Sequence, residues 1–320
     1  MTRKVLVTGG AGFVGSHVAD AHIARGDRVW VMDDLSSGRP ANVPSGAEFV
    51  EMDIADPRAR ELIRDVGFDL INHHAAQIDV RASVADPVAD ARVNIAGFLN
   101  VLEAARASGT RRVVFVSSGG VVYGEPETYP TPESAPKQPV SPYGVSKLAG
   151  ECYLNCYREI HGLDYVALRY GNVYGPRQDP HGEAGVVAIF CNRLIEGKPL
   201  TIYGDGEQVR DYVYVEDVAS ANLMASEMAL EERPGIDARA YNVGTHDATS
   251  VNALATLLEE IAGVHRGRVH RDARPGDVRR NTLDTARIRA LGWAPAHDLR
   301  EGLARTFHHI RSSRTKAGAA

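Results

Sequence analysis

Cysteine is nearly absent from this chain: Cys152, Cys156 and Cys191 are the only three in 320 residues. An odd, sparse set excludes a disulfide framework and fits a reducing compartment, so a cytoplasmic location is expected. Cys152 and Cys156 stand four apart, but no Cys or His pair lies close by in sequence, and no metal site is expected. Long apolar runs are missing too. No stretch approaches the roughly 18 residues that span a bilayer, so no membrane partner is expected. The chain opens Met1-Thr2-Arg3-Lys4 straight into a strand-like run, and no secretory leader is expected there. Charge of one sign is not in excess: the net charge is -5 and the pI about 6.2, which gives no reason to expect nucleic acid. There is no internal repeat and no low-complexity tract. With 44% hydrophobic residues and enough length for two lobes, an ordinary globular protein remains.

The first half alternates strand and helix patterns. Lys4-Val5-Leu6-Val7-Thr8 reads as a buried parallel strand and runs into Gly9-Gly10-Ala11-Gly12-Phe13-Val14-Gly15, followed by a helix pattern from about Phe13 to Arg25 that stops at Gly26. Strand, glycine turn and helix in that order form a diphosphate cradle: Gly9 makes the turn, Gly12 lets the backbone approach the anion, and Gly15 lets the helix pack closely. The next strand, Arg28 to Met32, ends in Asp33, eighteen residues past Gly15. An acid there accepts from ribose hydroxyls and repels a 2′-phosphate, which favours NAD over NADP. Further strands are read at Glu48–Met52, Asp69–His73, Arg112–Val116 and Tyr165–Arg169, with a helix opening at Asn94 and running to Arg106. Adjacent strand residues face opposite ways, so His73 and His74 do not make a metal pair. This alternation predicts an α/β fold, a Rossmann-type doubly wound parallel sheet over residues 1–175. Ligands of such sheets bind at the strands' carboxyl ends, where Asp33, His74, Ser118 and Tyr143 fall.

Two further stretches carry chemistry. Ser141-Pro142-Tyr143-Gly144-Val145-Ser146-Lys147 opens a helix that runs to Gly162. Four-residue spacing puts the Tyr143 phenol beside the Lys147 ammonium, and a neighbouring cation favours the phenolate that a general base for an alcohol proton requires. The proline-rich segment Glu125–Pro142 is expected at the site entrance. Beyond Tyr170-Gly171-Asn172-Val173-Tyr174-Gly175-Pro176 the alternation weakens, and residues 176–320 are read as a smaller α+β substrate domain with some segments returning to the first. Arg210 and Arg274, in separate loops, could clamp a second diphosphate or could simply form surface ion pairs.

Gly9-x-x-Gly12-x-x-Gly15, the Ser117-Ser118 strand end and Tyr143-x-x-x-Lys147, in order and well spaced, resemble the extended short-chain dehydrogenase/reductase family. Leu168-Arg169-Tyr170-Gly171-Asn172-Val173-Tyr174-Gly175-Pro176-Arg177 and Tyr203-Gly204-Asp205-Gly206 with Arg210-Asp211-Tyr212 resemble its nucleotide-sugar branch, most closely the bacterial UDP-glucose 4-epimerases, from about Lys4 to His309. The resemblance implies NAD as cofactor, with Gly9, Gly12, Phe13 and Val14 along its diphosphate, Asp33 and Ser37 at the adenosine ribose, Asp53 and Ile54 at the adenine, and Ala75, Asn94 and Ser117 in the cofactor trough. Tyr143, Lys147 and Tyr170 would approach the nicotinamide. Asn172, Val187, Thr201, Tyr203, Arg210, Arg274 and Asp277 would hold a uridine diphosphate sugar. Tyr143, Lys147 and Ser118 would perform C4 epimerisation of a UDP-hexose, and a homodimer through the helix after Asn94 and the Tyr143 helix is implied. One position departs. Aligned through Val122-Tyr123-Gly124, the family's Ser or Thr over the sugar O4 is Gly119 here. A roomier site is therefore expected, with Ser118 or a water as the hydroxyl partner. Gly119-Gly120 also stand where a 4,6-dehydratase carries its acid–base pair.

Overall fold

A computed structural model describes residues 2–179, 185–230, 233–273 and 278–317, with side chains to 315. Seven strands form one parallel sheet: β1 (Lys4–Thr8), β2 (Arg28–Asp33), β3 (Glu48–Glu51), β4 (Leu70–His73), β5 (Arg112–Ser118), β6 (Asp164–Tyr170) and β11 (Ala240–Val243). Their spatial order is β11-β6-β5-β4-β1-β2-β3, so the order reverses between β1 and β4, where a crevice opens at the carboxyl ends. The inner strands are almost continuously apolar because both faces are covered. On one face Leu6, Ile71, Val113 and Phe115 pack with Phe98, Val101 and Leu102; on the other Val5, Val7, Val114 and Val166 pack with Ala19 and Val218.

Helix α1 (Phe13–Ala24) starts directly after the glycine turn, capped by the Gly12 backbone. Gly9 sits at φ +67°, and a Cβ there would lie 2.5 Å from the Ala75 nitrogen, so only glycine lets the turn and the end of β4 approach this closely. Helices α2 (Pro57–Val66), α3 (Val80–Ala85), α4 (Pro87–Ala91) and α5 (Phe98–Ser108) follow. Helix α6 (Pro142–His161) is started by Ser141, whose hydroxyl accepts from the Gly144 N–H at 3.2 Å, with Pro142 in the first turn, and it ends on Gly162 at φ +71°. A cap of this kind contributes about 1 kcal/mol.

The expected helix start at Asn94 is not found. Residues Arg92–Gly97 form a wide helical turn joining α4 to α5, and Asn94 lies inside it. The reason is polar: the Asn94 amide is spent on Gln77 and Asp90 rather than on capping a new helix. The segment 125–142 also departs from expectation, since none of its residues lines the cleft described below. It covers a buried polar cluster instead: Glu133 accepts from the Asn242 N–H at 2.9 Å, and Lys137 pairs with Asp237.

Past β6 come β7 (Asn172–Tyr174), α7 (Val186–Ile195), β8 (Leu200–Tyr203), β9 (Val209–Arg210), β10 (Tyr212–Tyr214) and α8 (Val215–Ala225). After β11, β12 (Thr249–Ser250) leads into α9 (Val251–Ala262), then β13 (Arg268–Arg271), β14 (Arg280–Asn281), α10 (Ala286–Ala290) and α11 (Leu299–Ala317). Here the sheets are small: β10 with β7, β12-β9-β14, and β13 with β8. A separate core of Val187, Phe190, Leu254, Leu258, Leu303 and Phe307 joins α7, α9 and α11. No helix among the described residues is long and apolar enough to cross a membrane.

Candidate active site

The carboxyl ends of β1, β2, β4, β5 and β6 form the floor of one cleft of about 1150 Å3, which continues to α7, β8 and β9. At one end the α1 N-terminus presents its unpaired N–H groups beside Gly9, Gly12, Phe13 and Val14, the arrangement that receives an anion. Asp33, 7% exposed, is fixed by two backbone donors, Ala11 N–H on Oδ2 and Leu35 N–H on Oδ1, each at 2.9 Å. Burial pushes its carboxyl up from the ordinary range and the N–H bonds oppose that shift. Ser37, Asp53, Ile54 and Ala75 line the same stretch. Asp53 is oriented by the Ala55 N–H at 2.8 Å, and the Ala75 N–H donates to Thr8 Oγ1 at 3.3 Å. His73 and His74 face apart. The His73 ring lies 4.5 Å from that of Phe98 and its Nδ1 is 2.9 Å from Thr8 Oγ1, whereas His74 reaches the cleft.

In the middle of the floor, α6 presents Tyr143 and Lys147 on one face. Tyr143 is 9% exposed and lines the cleft, and its N–H donates to Ser83 Oγ at 3.2 Å. The Lys147 Nζ lies 5.7 Å from the Tyr143 ring centroid and 5.1 Å from that of Phe115, and donates to the Val116 carbonyl at 2.9 Å. Lys147 does not itself line the cleft; it lies beneath the wall formed by Val116 and Ser117. Burial lowers its pKa to about 8, and Asp90 opposes the shift. Ser117 and Ser118 close the end of β5. The Ser117 hydroxyl is committed downward, donating to Glu151 Oε1 at 2.5 Å, and Glu151 in turn pairs with Arg169 with both side chains fully buried. Tyr170 lines the cleft while its hydroxyl accepts from Asn222 Nδ2 at 2.6 Å, and burial raises its pKa.

Asn172, Val187, Thr201, Tyr203 and Arg210 all border the far end of the cleft. Arg210 is held between two strands, opposite Thr249 on β12 and Asn281 on β14. Arg274 and Asp277 lie outside the described residues. Asn94, expected in the cofactor trough, does not line the cleft; it stands behind Gln77, which does.

The room expected at Gly119 is absent. A Cβ at Gly119 would lie 2.7 Å from both Leu283 methyl carbons, so a leucine distant in sequence occupies the space that a larger residue would take. Leu283 is 1% exposed and packs with Val122, Tyr123 and Ala135.

Several lining residues escaped the sequence reading: Gln77, Asp79, Gln178, Phe190, Arg193 and Gln208. Val186, Phe190 and Arg193 recur at i, i+4 and i+7, a face that helical periodicity could have exposed. Gln77 and Asp79 sit in irregular backbone with no comparable signal.

Matched against family models, residues 5–244 fit the NAD dependent epimerase/dehydratase family, and the chain belongs to it. More particularly, it is 46% identical over 315 residues to a UDP-glucose 4-epimerase of Mycolicibacterium smegmatis, covering 97% of this chain and 99% of that protein. It superposes with a TM-score of 0.93 and 45% identity on a UDP-glucose 4-epimerase of Thermotoga maritima solved with UDP-glucose, over 97% of this chain and 99% of that one. With the Thermus thermophilus UDP-glucose 4-epimerase solved with NAD, the TM-score is 0.90 at 45% identity, again over 97% and 99% of the two chains.

Proposed function

We propose that this protein interconverts UDP-galactose and UDP-glucose by NAD-dependent oxidation and re-reduction at C4 of the hexose. The observation that carries the reading is that the glycine turn, Tyr143 and Arg210 all line one cleft. NAD fits the first lobe: the Gly9 approach leaves a cradle that a Cβ would fill, α1 aims its N-terminus at it, and Asp33 stands where ribose hydroxyls would fall. When bound, NAD accepts the C4 hydride and returns it.

The chain's own part is proton handling and tethering. Tyr143, as phenolate, takes the proton from the sugar O4 and gives it back after the sugar has turned over. Lys147, next to the Tyr143 ring in a desolvated pocket, stabilises that phenolate while it remains an ammonium. Ser118 supplies the hydroxyl partner at O4, since Gly119 has no side chain and Leu283 fills the space beside it. Arg210 and Tyr203, with Arg274 and Asp277, hold the uridine diphosphate so that the hexose can rotate with few contacts of its own. Residues 1–175 thus serve the cofactor, and residues 176–320 mainly the substrate. A cytoplasmic homodimer is part of the proposal; Val145, Tyr153 and Ile160, exposed on α6, support an interface there.

The test is incubation of the purified protein with a panel of UDP-sugars and no added reductant, read by NMR. Interconversion of UDP-galactose and UDP-glucose without release of NADH is expected. Net oxidation, or no epimer from either sugar, would overturn the proposal.

A further inference from the structure

Asp90, on α4, is 1% exposed and does not line the cleft. Its two oxygens accept from three donors in three segments. Oδ2 accepts from Ser146 Oγ of α6 at 2.6 Å, while Oδ1 accepts from Asn94 Nδ2 at 2.9 Å and from Gln77 Nε2 at 3.1 Å. Asn94 reinforces the last link, accepting from the Gln77 N–H at 2.9 Å and donating to the Gln77 carbonyl at 2.8 Å. Gln77 then turns its own side-chain oxygen to the Asp79 N–H at 2.5 Å. Residues 77–79 line the cleft, so one buried carboxylate ties the wall beyond β4 to the helix that bears Tyr143 and Lys147.

None of these donors is charged, so Asp90 has no cationic partner among them. Lys147 has the converse problem. It is 3% exposed, and its Nζ donates to a neutral carbonyl rather than to an acid. Ser146, which donates to Asp90, is the chain neighbour of Lys147 on α6. The groups facing Lys147 are the Phe115 ring and Val116 carbonyl of β5, Tyr143 of its own helix, and His73 and His74 at the end of β4. Burial pushes both histidines down, His74 to about 3, with the Lys147 charge adding to the shift, so both are neutral at neutral pH. Glu151, one turn further along α6, is engaged by Arg169. That leaves Asp90 as the acid that acts on Lys147.

We propose that Asp90 is a positioning residue of the reaction centre, holding the cleft wall at Gln77–Asp79 against α6 and supplying the negative charge that keeps Lys147 an ammonium. The proposal rests on the reading of Tyr143 and Lys147 as the proton-handling pair. The decisive variant is Asp90→Asn in the holoenzyme. The amide oxygen still accepts from Asn94 and Gln77, and the Ser146 hydroxyl can turn to accept from the new amide, so shape and hydrogen bonds persist while the charge goes. The alkaline limb of kcat/KM is expected to move down by about one pH unit, the scale of a lost opposite charge nearby. Ser146→Ala, which removes a hydrogen bond and keeps the charge, is expected to leave the limb in place. An unmoved limb in Asp90→Asn, or an equal displacement in Ser146→Ala, overturns the proposal. Titration of Lys147 by NMR of lysine-labelled protein gives the same midpoint without turnover. A lowered midpoint in a protein that epimerises nothing would support Asp90 and sink the epimerase reading; normal epimerisation with an unmoved midpoint would do the reverse. If Asp90→Asn does not fold, Asp90→Glu, which keeps the charge, must hold the wild-type limb, and a limb displaced there also overturns it.

Discussion

Gly119 offers a perturbation whose sign, not only its size, follows from one contact. Its φ is not positive, so alanine meets no backbone penalty there. In open space, Gly119→Ala would stabilise by about 0.4–1 kcal/mol, because the unfolded chain loses freedom. The space is not open. The new Cβ would stand 2.7 Å from both Leu283 methyls, against 3.4–4 Å for ordinary contact, so the leucine must retreat by about 1 Å. Its backbone is poorly able to do so: the Leu283 N–H donates to buried Asp211 at 3.3 Å, and residue 283 bridges Thr131. Gly119→Ala should therefore destabilise by about 1–3 kcal/mol, the usual cost of overpacking. Leu283→Ala alone removes a buried side chain and should cost about 2–5 kcal/mol. In that background the alanine at 119 has room, and its effect should reverse to neutral or stabilising. Urea denaturation of the four proteins closes the cycle, with an expected coupling of about 1–3 kcal/mol. Additive effects would show that Leu283 does not occupy the space beside Gly119, and the earlier expectation of a roomier site would return.

Other consequences can be tested singly. Tyr143→Phe should lower epimerase turnover by at least about a hundredfold, the scale of a lost general base, and near-normal turnover would remove Tyr143 from that role. Lys147, lowered to about 8 by burial, loses its ammonium as pH rises through that value, so turnover should fall on the alkaline side of about 8. Activity that stayed flat up to the ordinary lysine range of about 10 would contradict this. Arg210→Ala should raise the inhibition constant for UDP by about tenfold or more, as the loss of a charge-assisted contact worth about 1.5–3 kcal/mol requires. An unchanged constant would take Arg210 out of the diphosphate grip.

What was legible in the sequence is what depends on short-range geometry. A glycine turn between strand and helix, an acid at the end of the next strand, and a phenol four residues from an ammonium fix their own relative positions, because 3.6- and 2-residue periods place them with no help from the rest of the chain. The parallel sheet then brings Gly9, Asp33 and Tyr143 to one cleft at its carboxyl ends. What stayed hidden depends on contacts between distant segments. Leu283 reaches Gly119 from far along the chain, and the bridge from Thr131 to Leu283 brings it there. Residues 125–142 read as an entrance loop because prolines and turns mark irregular backbone, but the buried Arg169 draws that segment inward, with its guanidinium donating to the Glu133 carbonyl at 3.1 Å. Asn94 read as a helix opening because asparagine favours that position, yet a buried amide takes whichever partners desolvation leaves it, and here those are Gln77 and Asp90. Asn94 is polar and Gly119 lacks a side chain, and the place of each is set by what must be satisfied or filled nearby. Such residues also connect the cleft wall to the proton-handling helix, so the positions hardest to read locally are the ones where substitution should change the chemistry without touching the substrate.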